Sequence, residues 1–402
     1  MFKSLISSIF RRRHYWRLAS FDEIAELYTS RLLTTFAMNI VNLFAAVYLY
    51  KLGYSVLFIV TMYGVLYLAK VPLAYFAARY VAYFGPKHGI FLAGIIRVPS
   101  LIAFMFASKY GLPAVLIFAV LQQISSVIYD LSYLVDFSKV KHGLHAGKEI
   151  GTMLVVEKFA RIVSPLVGGV IASLYSPQVT IIVACVVFII SAWPLFRTVE
   201  PTMTRNRLHF EGFPWRLARS SLISESVVGF DFVASGMAWT LFLTLFVFEG
   251  LGNDTYAVLG GLISLGVFVS VLTAWTFGQI VDRQKGGTLL VFGTIANVVI
   301  HLFRPFVGAT PGVIAVNVAN ETATSGYSIP FTRVVFDVAD TSGFRIPYMM
   351  FIEMTVNFGA ALGCFVLATC VLMLGENEGI KLMFVMAAFY QLIMLISRGK
   401  RR

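Results

Sequence analysis

The composition of this chain of 402 residues is that of a membrane protein. Hydrophobic residues make up 58% of it and charged residues only 13%, and the mean hydropathy is +0.81, far above the values of soluble domains. The net charge of +12 is interpreted as a signal for membrane orientation rather than for nucleic-acid binding. The three cysteines all lie in apolar stretches, which predicts neither a disulfide framework nor a metal site.

The N-terminal segment, residues 1–26, combines apolar residues with a run of arginines at Arg11, Arg12, Arg13 and Arg17. A signal peptide carries its charges before the apolar stretch, so the opposite order here argues against one. An amphipathic helix that lies on an anionic membrane surface fits this pattern. A frayed basic tail fits it as well.

Twelve apolar stretches follow, most of them close to the ~20 residues that cross a bilayer as a helix. Six precede a polar linker at residues 200–222 and six follow it, which predicts an all-α membrane protein with an N-terminal bundle (27–199) and a C-terminal bundle (223–402). The predicted spans are Leu32–Tyr50, Tyr54–Ala78, Ile90–Ser108, Leu112–Val135, Ile150–Tyr175 and Val179–Phe196, then Val227–Phe248, Tyr256–Ile280, Thr288–Val307, Gly312–Val335, Pro347–Leu374 and Ile380–Ile396.

Basic residues are distributed unevenly between the two sides that these spans define. One side receives the N-terminal arginines, the linker and most of the remaining basic residues, whereas the other receives little more than Lys51, Lys109, Arg304 and Lys381. Because basic residues are retained on the cytoplasmic side, both termini and the linker are predicted to be cytoplasmic.

The polar stretch Phe277–Gly287 interrupts two long apolar spans and contains Gly278, Asp282 and Arg283. Its spacing resembles the Gly-x-x-x-Asp-Arg loop of the major facilitator superfamily of secondary transporters. The two halves also resemble each other, with the segment that contains Glu157 aligned to the segment that contains Glu353. A parallel repeat of six helices is the arrangement that this resemblance implies.

A second motif, Ser164–Gly169, is similar to the Gly-Pro-x-x-Gly-Gly element of many exporters of that superfamily. Ser164 replaces the first glycine, Ala77 and Val81 replace the loop glycine and aspartate in the first half, and the fourth span has no arginine. These departures argue against an ordinary drug–proton antiport. Small residues in the fifth and eleventh spans are expected at helix packing contacts: Pro165, Gly168, Gly169, Gly359 and Gly363.

Charged residues of the fifth span are predicted to form a cytoplasmic gate. Glu157 and Arg161 lie on one helical stripe with Pro165 and Gly168, and the family resemblance implies that the loop motif braces this span. The expected gate comprises Gly278, Asp282, Arg283, Glu157, Lys158 and Arg161, with Asp282 next to Lys158 or Arg161 and Arg283 next to Glu157. The alternative is a local Glu157–Arg161 pair within one helix.

Polar residues deep inside the spans are candidates for a substrate cavity, because they are costly in hydrocarbon unless they line water or bind a ligand. Arg97 and Glu321 are expected to face one central cavity from opposite halves. The full candidate set is Arg97, Asn39, Asn42, Gln122, Gln123, Trp239, Asn317, Asn320 and Glu321. The alternative for the amide residues is hydrogen bonding between helices.

Enzyme motifs such as Gly-x-Ser-x-Gly, a phosphate-binding glycine loop or His-Glu-x-x-His are absent from the sequence. The favoured function is secondary transport of a small organic solute across the cell membrane by a monomer, with H⁺ or another ion as candidate coupling ion, membrane lipids as surroundings and no cofactor, metal or nucleic acid. Two alternatives remain: a lipid or lipid-linked glycan flippase, and a membrane scaffold without transport activity.

Overall fold

The computed structural model describes residues 21–51, 53–140, 146–174, 177–197, 205, 207–248, 255–281 and 285–397. The predicted N-terminal segment therefore lies mostly outside the described residues. Within these ranges the chain is almost entirely helical and contains no β-strand.

The described part of the first half forms six long helices and one short helix at Ala107–Tyr110. Turns at Gly53, Gly85 and Gly111 separate several of them, and each of these glycines has a positive φ between 61° and 95° that other residues rarely adopt. Pro86 follows Gly85 directly and is the first residue of the next helix, a position where its missing N–H is not needed. The helices are α1 (Phe21–Lys51), α2 (Val56–Phe84), α3 (Pro86–Met105), α4 (Leu112–Val140), α5 (Ala146–Leu174) and α6 (Pro177–Ser191).

The second half also forms six helices, which confirms the predicted two sets of six. The long helix Arg345–Gln391 is divided at Gly375, whose φ of 80° and ψ of 174° are not helical; its parts are α11 (345–374) and α12 (376–391). The preceding helices are α7 (Trp215–Val247), which has π-helical turns at Val233–Ala238 and Leu243–Val247, α8 (Thr255–Ile280), α9 (Gly286–Phe303) and α10 (Thr310–Ser342).

Several helices are longer than the apolar spans predicted for them. The helix α1 begins at Phe21 rather than Leu32, and α7 begins at Trp215 rather than Val227. Their first turns are polar, so a hydropathy pattern detects only the part inside the apolar layer. Six helices of the described ranges are long and apolar enough by themselves to cross a membrane, when the stretch of α11 and α12 is counted as one. The helix α10 is not among them because its middle is rich in amide and carboxyl groups.

The two ends of the helical bundle differ in how the halves meet. We call the end with residues 207–214 and the α2–α3 and α10–α11 turns the linker end, and the opposite end the far end. At the linker end one buried apolar cluster contains residues of both halves, such as Phe137 and Phe336 with ring centroids 5.4 Å apart. Arg345 at the start of α11 also donates to Ser138 of α4 at 2.9 Å.

At the far end the buried apolar residues form two clusters instead of one. One cluster belongs to α1, α2, α3, α4 and α6. The other belongs to the second half, apart from Val56 and Val60 of α2, which packs along α11. In the described part of the chain, the buried apolar core is therefore continuous at the linker end and divided into two clusters at the far end.

Large apolar side chains cover the outside of the bundle. Phe292, Leu372 and Phe389 are each more than 60% exposed and lie on different helices. Such a large exposed apolar surface is unusual for a protein in water and suits contact with lipid acyl chains.

Candidate functional site

One ion pair joins the two halves near the middle of the bundle. Lys158 of α5 lies 3.4 Å from Glu321 of α10, measured from Nζ to Oε2, and also donates to Ser325 at 2.9 Å. The Glu321 side chain is 34% exposed, whereas the Lys158 side chain is 12% exposed. The pair thus has one nearly buried member and one partly exposed member.

Glu157 of α5 has a partner that the sequence did not suggest. Arg31 of α1 donates from Nε to Glu157 Oε1 at 2.6 Å, and its guanidinium lies 4.4 Å from the ring centroid of Tyr133. Arg161, one turn along, approaches Glu157 only to 4.0 Å and is half exposed. The main ionic partner of Glu157 is therefore an arginine of the same half.

The loop residues Asp282 and Arg283 lie outside the described residues, so their pairing with α5 stays a prediction. The end of α8 nevertheless approaches α5 closely. A Cβ atom placed on Gly151 would lie 3.1 Å from the carbonyl oxygen of Ala274 and 3.6 Å from the Cα of Gly278. Small residues allow this backbone approach at the linker end.

A buried polar network that sequence reasoning missed connects α7, α9 and α10. Asp231 accepts hydrogen bonds from Ser235 and His301 at 2.8 Å each and from Tyr327 at 2.5 Å. Arg304 Nη1 lies 3.0 Å from His301 Nδ1 and donates to Ser235 at 3.0 Å. Every described side chain that bonds the Asp231 carboxylate can donate, so the carboxylate is well satisfied despite its burial.

The geometry fixes the tautomer of His301. An arginine guanidinium can only donate, so Nδ1 of His301 accepts and the ring proton sits on Nε2, facing Asp231. With this tautomer the histidine carries no charge, and the charged members of the network are Asp231 and Arg304. The bonds of Asp231 to His301 and Tyr327, and of Arg304 to Ser235, link different helices, so the network holds the second bundle together.

The polar residues predicted on α7 and α10 lie beside this network. Trp239 donates from Nε1 to Asn317 Oδ1 at 2.7 Å, and Asn320 accepts from Asn297 at 3.3 Å. Ser235 reaches the same Asn320 oxygen at 3.4 Å. Trp239 of α7 is therefore bonded to Asn317, and Asn317 and Asn320 lie on α10, the helix that carries Glu321.

The structure does not bring Arg97 to Glu321. Arg97 is 2% exposed, donates from Nε to Ser125 at 2.8 Å and lines a cavity formed by α1, α3, α4 and the α6 region within the first half. Sequence reasoning placed it on a central cavity because depth along a helix says nothing about the direction in which the side chain points.

Two of the remaining first-half candidates, Asn39 and Gln122, bond within their own half. Asn39 donates to the backbone oxygen of Thr35 at 2.7 Å, and Gln122 is approached by Ser100 at 3.5 Å. Gln123 is buried, and the side chain of Asn42 lies outside the described residues.

A second set of charged residues lies between the halves on the linker side of the bundle. Lys70 of α2 is only 7% exposed, lies over the ring of Tyr67 at 5.4 Å and is within electrostatic range of Asp130 on α4 and Glu353 on α11. Glu353 accepts a hydrogen bond from Asn357 at 2.7 Å. The contact of α2 with α11 therefore has a charged component as well as an apolar one.

Glycines determine how closely α7 and α11 approach. A Cβ on Gly359 would lie 1.9 Å from the carbonyl oxygen of Ser226, and a Cβ on Gly229 would lie 1.9 Å from that of Val356. At Gly363 the nearest atom would be 3.2 Å away, and at Gly168, which faces Ile40, 3.4 Å away. The side chain of Pro165 and the surroundings of Gly169 lie outside the described residues.

Three solved structures share this fold at low sequence identity. FucP of E. coli in the outward conformation has a TM-score of 0.71 at 12% identity, with 94% of this chain and 99% of that chain covered. A bacterial homologue of the iron transporter ferroportin in the outward-facing state has the same values. The human organic anion transporter MFSD10 has a TM-score of 0.65 at 11% identity, with 92% and 99% covered.

No sequence among the curated proteins matches this chain. The family model described as Major Facilitator Superfamily matches residues 27–364, a range that extends from α1 well into α11. The sequence therefore carries the family signal across both halves, in agreement with the fold. The chain is a multi-pass membrane protein that belongs to the Major Facilitator Superfamily.

Proposed function

We propose that the protein is a secondary active transporter that moves a small organic solute across the cell membrane by alternating access. The observation that carries this proposal is the unequal meeting of the two halves, which share one apolar core at the linker end and have two apolar cores at the far end, where only α2 of the first half joins the second core in the described chain. We infer a cleft between these two cores. Alternating access requires two such bundles, with the seal at one end exchanged for a seal at the other.

The orientation of the cleft follows from the placement of basic residues. The described linker end carries Arg205, Arg207, Arg216 and Lys285 on its surface, as the cytoplasmic side of a membrane protein does. With both termini and the linker in the cytoplasm, the far-end cleft is an outward-facing opening. Two of the similar structures are named as outward-facing as well, which supports this assignment.

Glu321 is the residue best placed to sense a solute or a proton entering the cleft. It is the more exposed member of the only ion pair between α5 and α10 in the described chain. A solute with a cationic or hydrogen-bonding group would compete with Lys158 for the carboxylate, and protonation of Glu321 would remove the same attraction. Either event weakens a bond between the halves, which links occupancy of the cleft to the conformational equilibrium.

Distances between spin labels test alternating access directly. In a background with Cys185, Cys364 and Cys370 replaced by serine, one label pair at positions 110 and 306 spans the far end, and one pair at positions 84 and 285 spans the linker end. We expect two populations whose distances change in opposite directions as the pH or an added solute is varied. Solutes are chosen by their ability to raise the melting temperature of the purified protein.

The contrary result is one fixed distance at each end under every condition, together with no stabilising solute. That outcome would favour a scaffold without transport activity. Stabilisation by lipids alone, with opening between helices towards the bilayer, would favour a flippase. Uptake of the stabilising solute into proteoliposomes then establishes transport. The cysteine-free parent serves as the reference for the uptake of the labelled variants.

A further inference from the structure

The Arg97 cavity is separate from the cleft between the halves. All its lining residues belong to the first half, and the polar ones come from α1 (Thr34), α3 (Arg97), α4 (Ser125 and Tyr129) and the end of α6 (Ser191). The cavity has free space for roughly one water-sized sphere. It is thus an internal site of the first bundle and not a passage for an organic solute.

Three buried polar atoms around this cavity make no hydrogen bond of ordinary length and angle to the described residues, although the hydroxyls of Thr34 and Tyr129 interact weakly with each other. They are Nη1 of Arg97, Oγ1 of Thr34 and the hydroxyl oxygen of Tyr129. These residues are only 2–3% exposed, and Arg97 is fixed in place because its Nε donates to Ser125. Each of the three atoms can donate a hydrogen, and unsatisfied buried donors are costly.

The charge of Arg97 is also left without a close counter-charge. In the described chain no carboxylate lies within ion-pair distance of it, and Asp130 acts on it only at longer range. The neighbouring cation, Arg31, is neutralised by Glu157 at 2.6 Å. An uncompensated cation inside a membrane protein is strongly unfavourable, so the cavity favours an anion over a neutral occupant.

We propose that this cavity binds one monatomic anion of the halide class, held by Arg97 Nη1, Thr34 and Tyr129. A halide accepts several hydrogen bonds from any direction and is only somewhat larger than water, so it suits three donors around a small space. A carboxylate or phosphate needs more room than the cavity offers. The bound anion would neutralise Arg97 and join α1, α3 and α4 into one rigid unit, whatever solute the cleft accepts.

Thermal stability in different salts tests this site. Purified protein in sodium gluconate is titrated with sodium chloride or bromide at constant ionic strength, and the melting temperature is recorded. We expect a saturable rise with chloride and bromide and none with acetate or sulfate. Arg97→Gln should abolish the rise, and Thr34→Val, which keeps the charge, should raise the apparent dissociation constant about tenfold, the effect of one charge-assisted hydrogen bond.

A surface cation provides the matched control. Arg216 lies exposed at the start of α7, and Arg216→Gln removes the same charge without touching the cavity, so its response to chloride should equal that of the parent. Crystals grown in bromide should show an anomalous peak between Arg97 and Tyr129. Equal melting temperatures in gluconate and chloride, equal stabilisation by acetate, or a response to chloride that Thr34→Val leaves unchanged would each overturn the proposal.

Discussion

Neutralising Glu321 should shift the protein towards the state with an open linker end. The attraction between unit charges 3.4 Å apart is about 1 kcal/mol at the dielectric constant of water and about 5 kcal/mol at an effective value of 20. Because a third of the Glu321 side chain is exposed, the net value lies towards the lower figure. A contribution of about 2 kcal/mol would change the ratio of the two states roughly 30-fold.

The measurement is the distance distribution of the label pair at positions 84 and 285 in Glu321→Gln. The long-distance population, which corresponds to an open linker end, should increase, and Lys158→Met should have the same effect. Because both changes remove one interaction, the double variant should shift the equilibrium no further than either single variant.

An ion pair confined to one half supplies the control. Glu378 and Lys381 lie 2.8 Å apart on α12, and the Glu378 side chain is 62% exposed. Glu378→Gln should leave the distribution unchanged. The reasoning is refuted if Glu321→Gln and Glu378→Gln give the same distance distribution.

Three further predictions concern stability and can be measured as melting temperatures of the purified protein. Gly359→Ala should lower the melting temperature strongly, because the new methyl group would lie 1.9 Å from a backbone atom. Gly236→Ala should change the melting temperature little, because nothing lies within 4 Å of that position. Arg31→Met should cost about 3–5 kcal/mol by leaving Glu157 buried without its partner, and adding Glu157→Gln should recover much of that loss. Asp231→Asn should also destabilise the protein, because the neutral amide accepts its buried hydrogen bonds less strongly. Unchanged melting temperatures in Gly359→Ala, Arg31→Met and Asp231→Asn would contradict the three arguments.

The number and order of the helices could be predicted from the sequence because each span must satisfy its backbone inside hydrocarbon by itself. That requirement produces apolar runs of a defined length, which are visible without any tertiary information. The ends of the helices were predicted less well at Phe21 and Trp215, because the turns outside the apolar layer obey no such rule.

The side-chain partners were harder to predict because they depend on helix rotation and on contacts between distant segments. Asp282, which lies outside the described residues, was expected next to Lys158 or Arg161, and the partner that the structure gives Lys158 is Glu321; nothing local to either helix indicates that partner. Asp231, His301 and Arg304 were overlooked although the rule that directed attention to Arg97, an ionisable residue within an apolar span, applies to each of them. In that case the signal was present in the sequence and was not used.

The π-helical turns of α7 determine which neighbours that helix can reach. Asp231, Ser235 and Trp239 are spaced by four residues and all point to α9 or α10. In a regular α-helix two such steps rotate the side chain by about 80° around the axis, which would carry Trp239 away from Asn317.

The wider turn at Val233–Ala238 reduces this rotation and keeps the three side chains on one line. The wider turn therefore compensates for the difference between the four-residue spacing of these side chains and the 3.6 residues per turn of a regular α-helix. Loss of a single residue from this turn would restore a regular helix and rotate every later side chain of α7 by about 100°, so this segment is far less tolerant of deletion than of substitution.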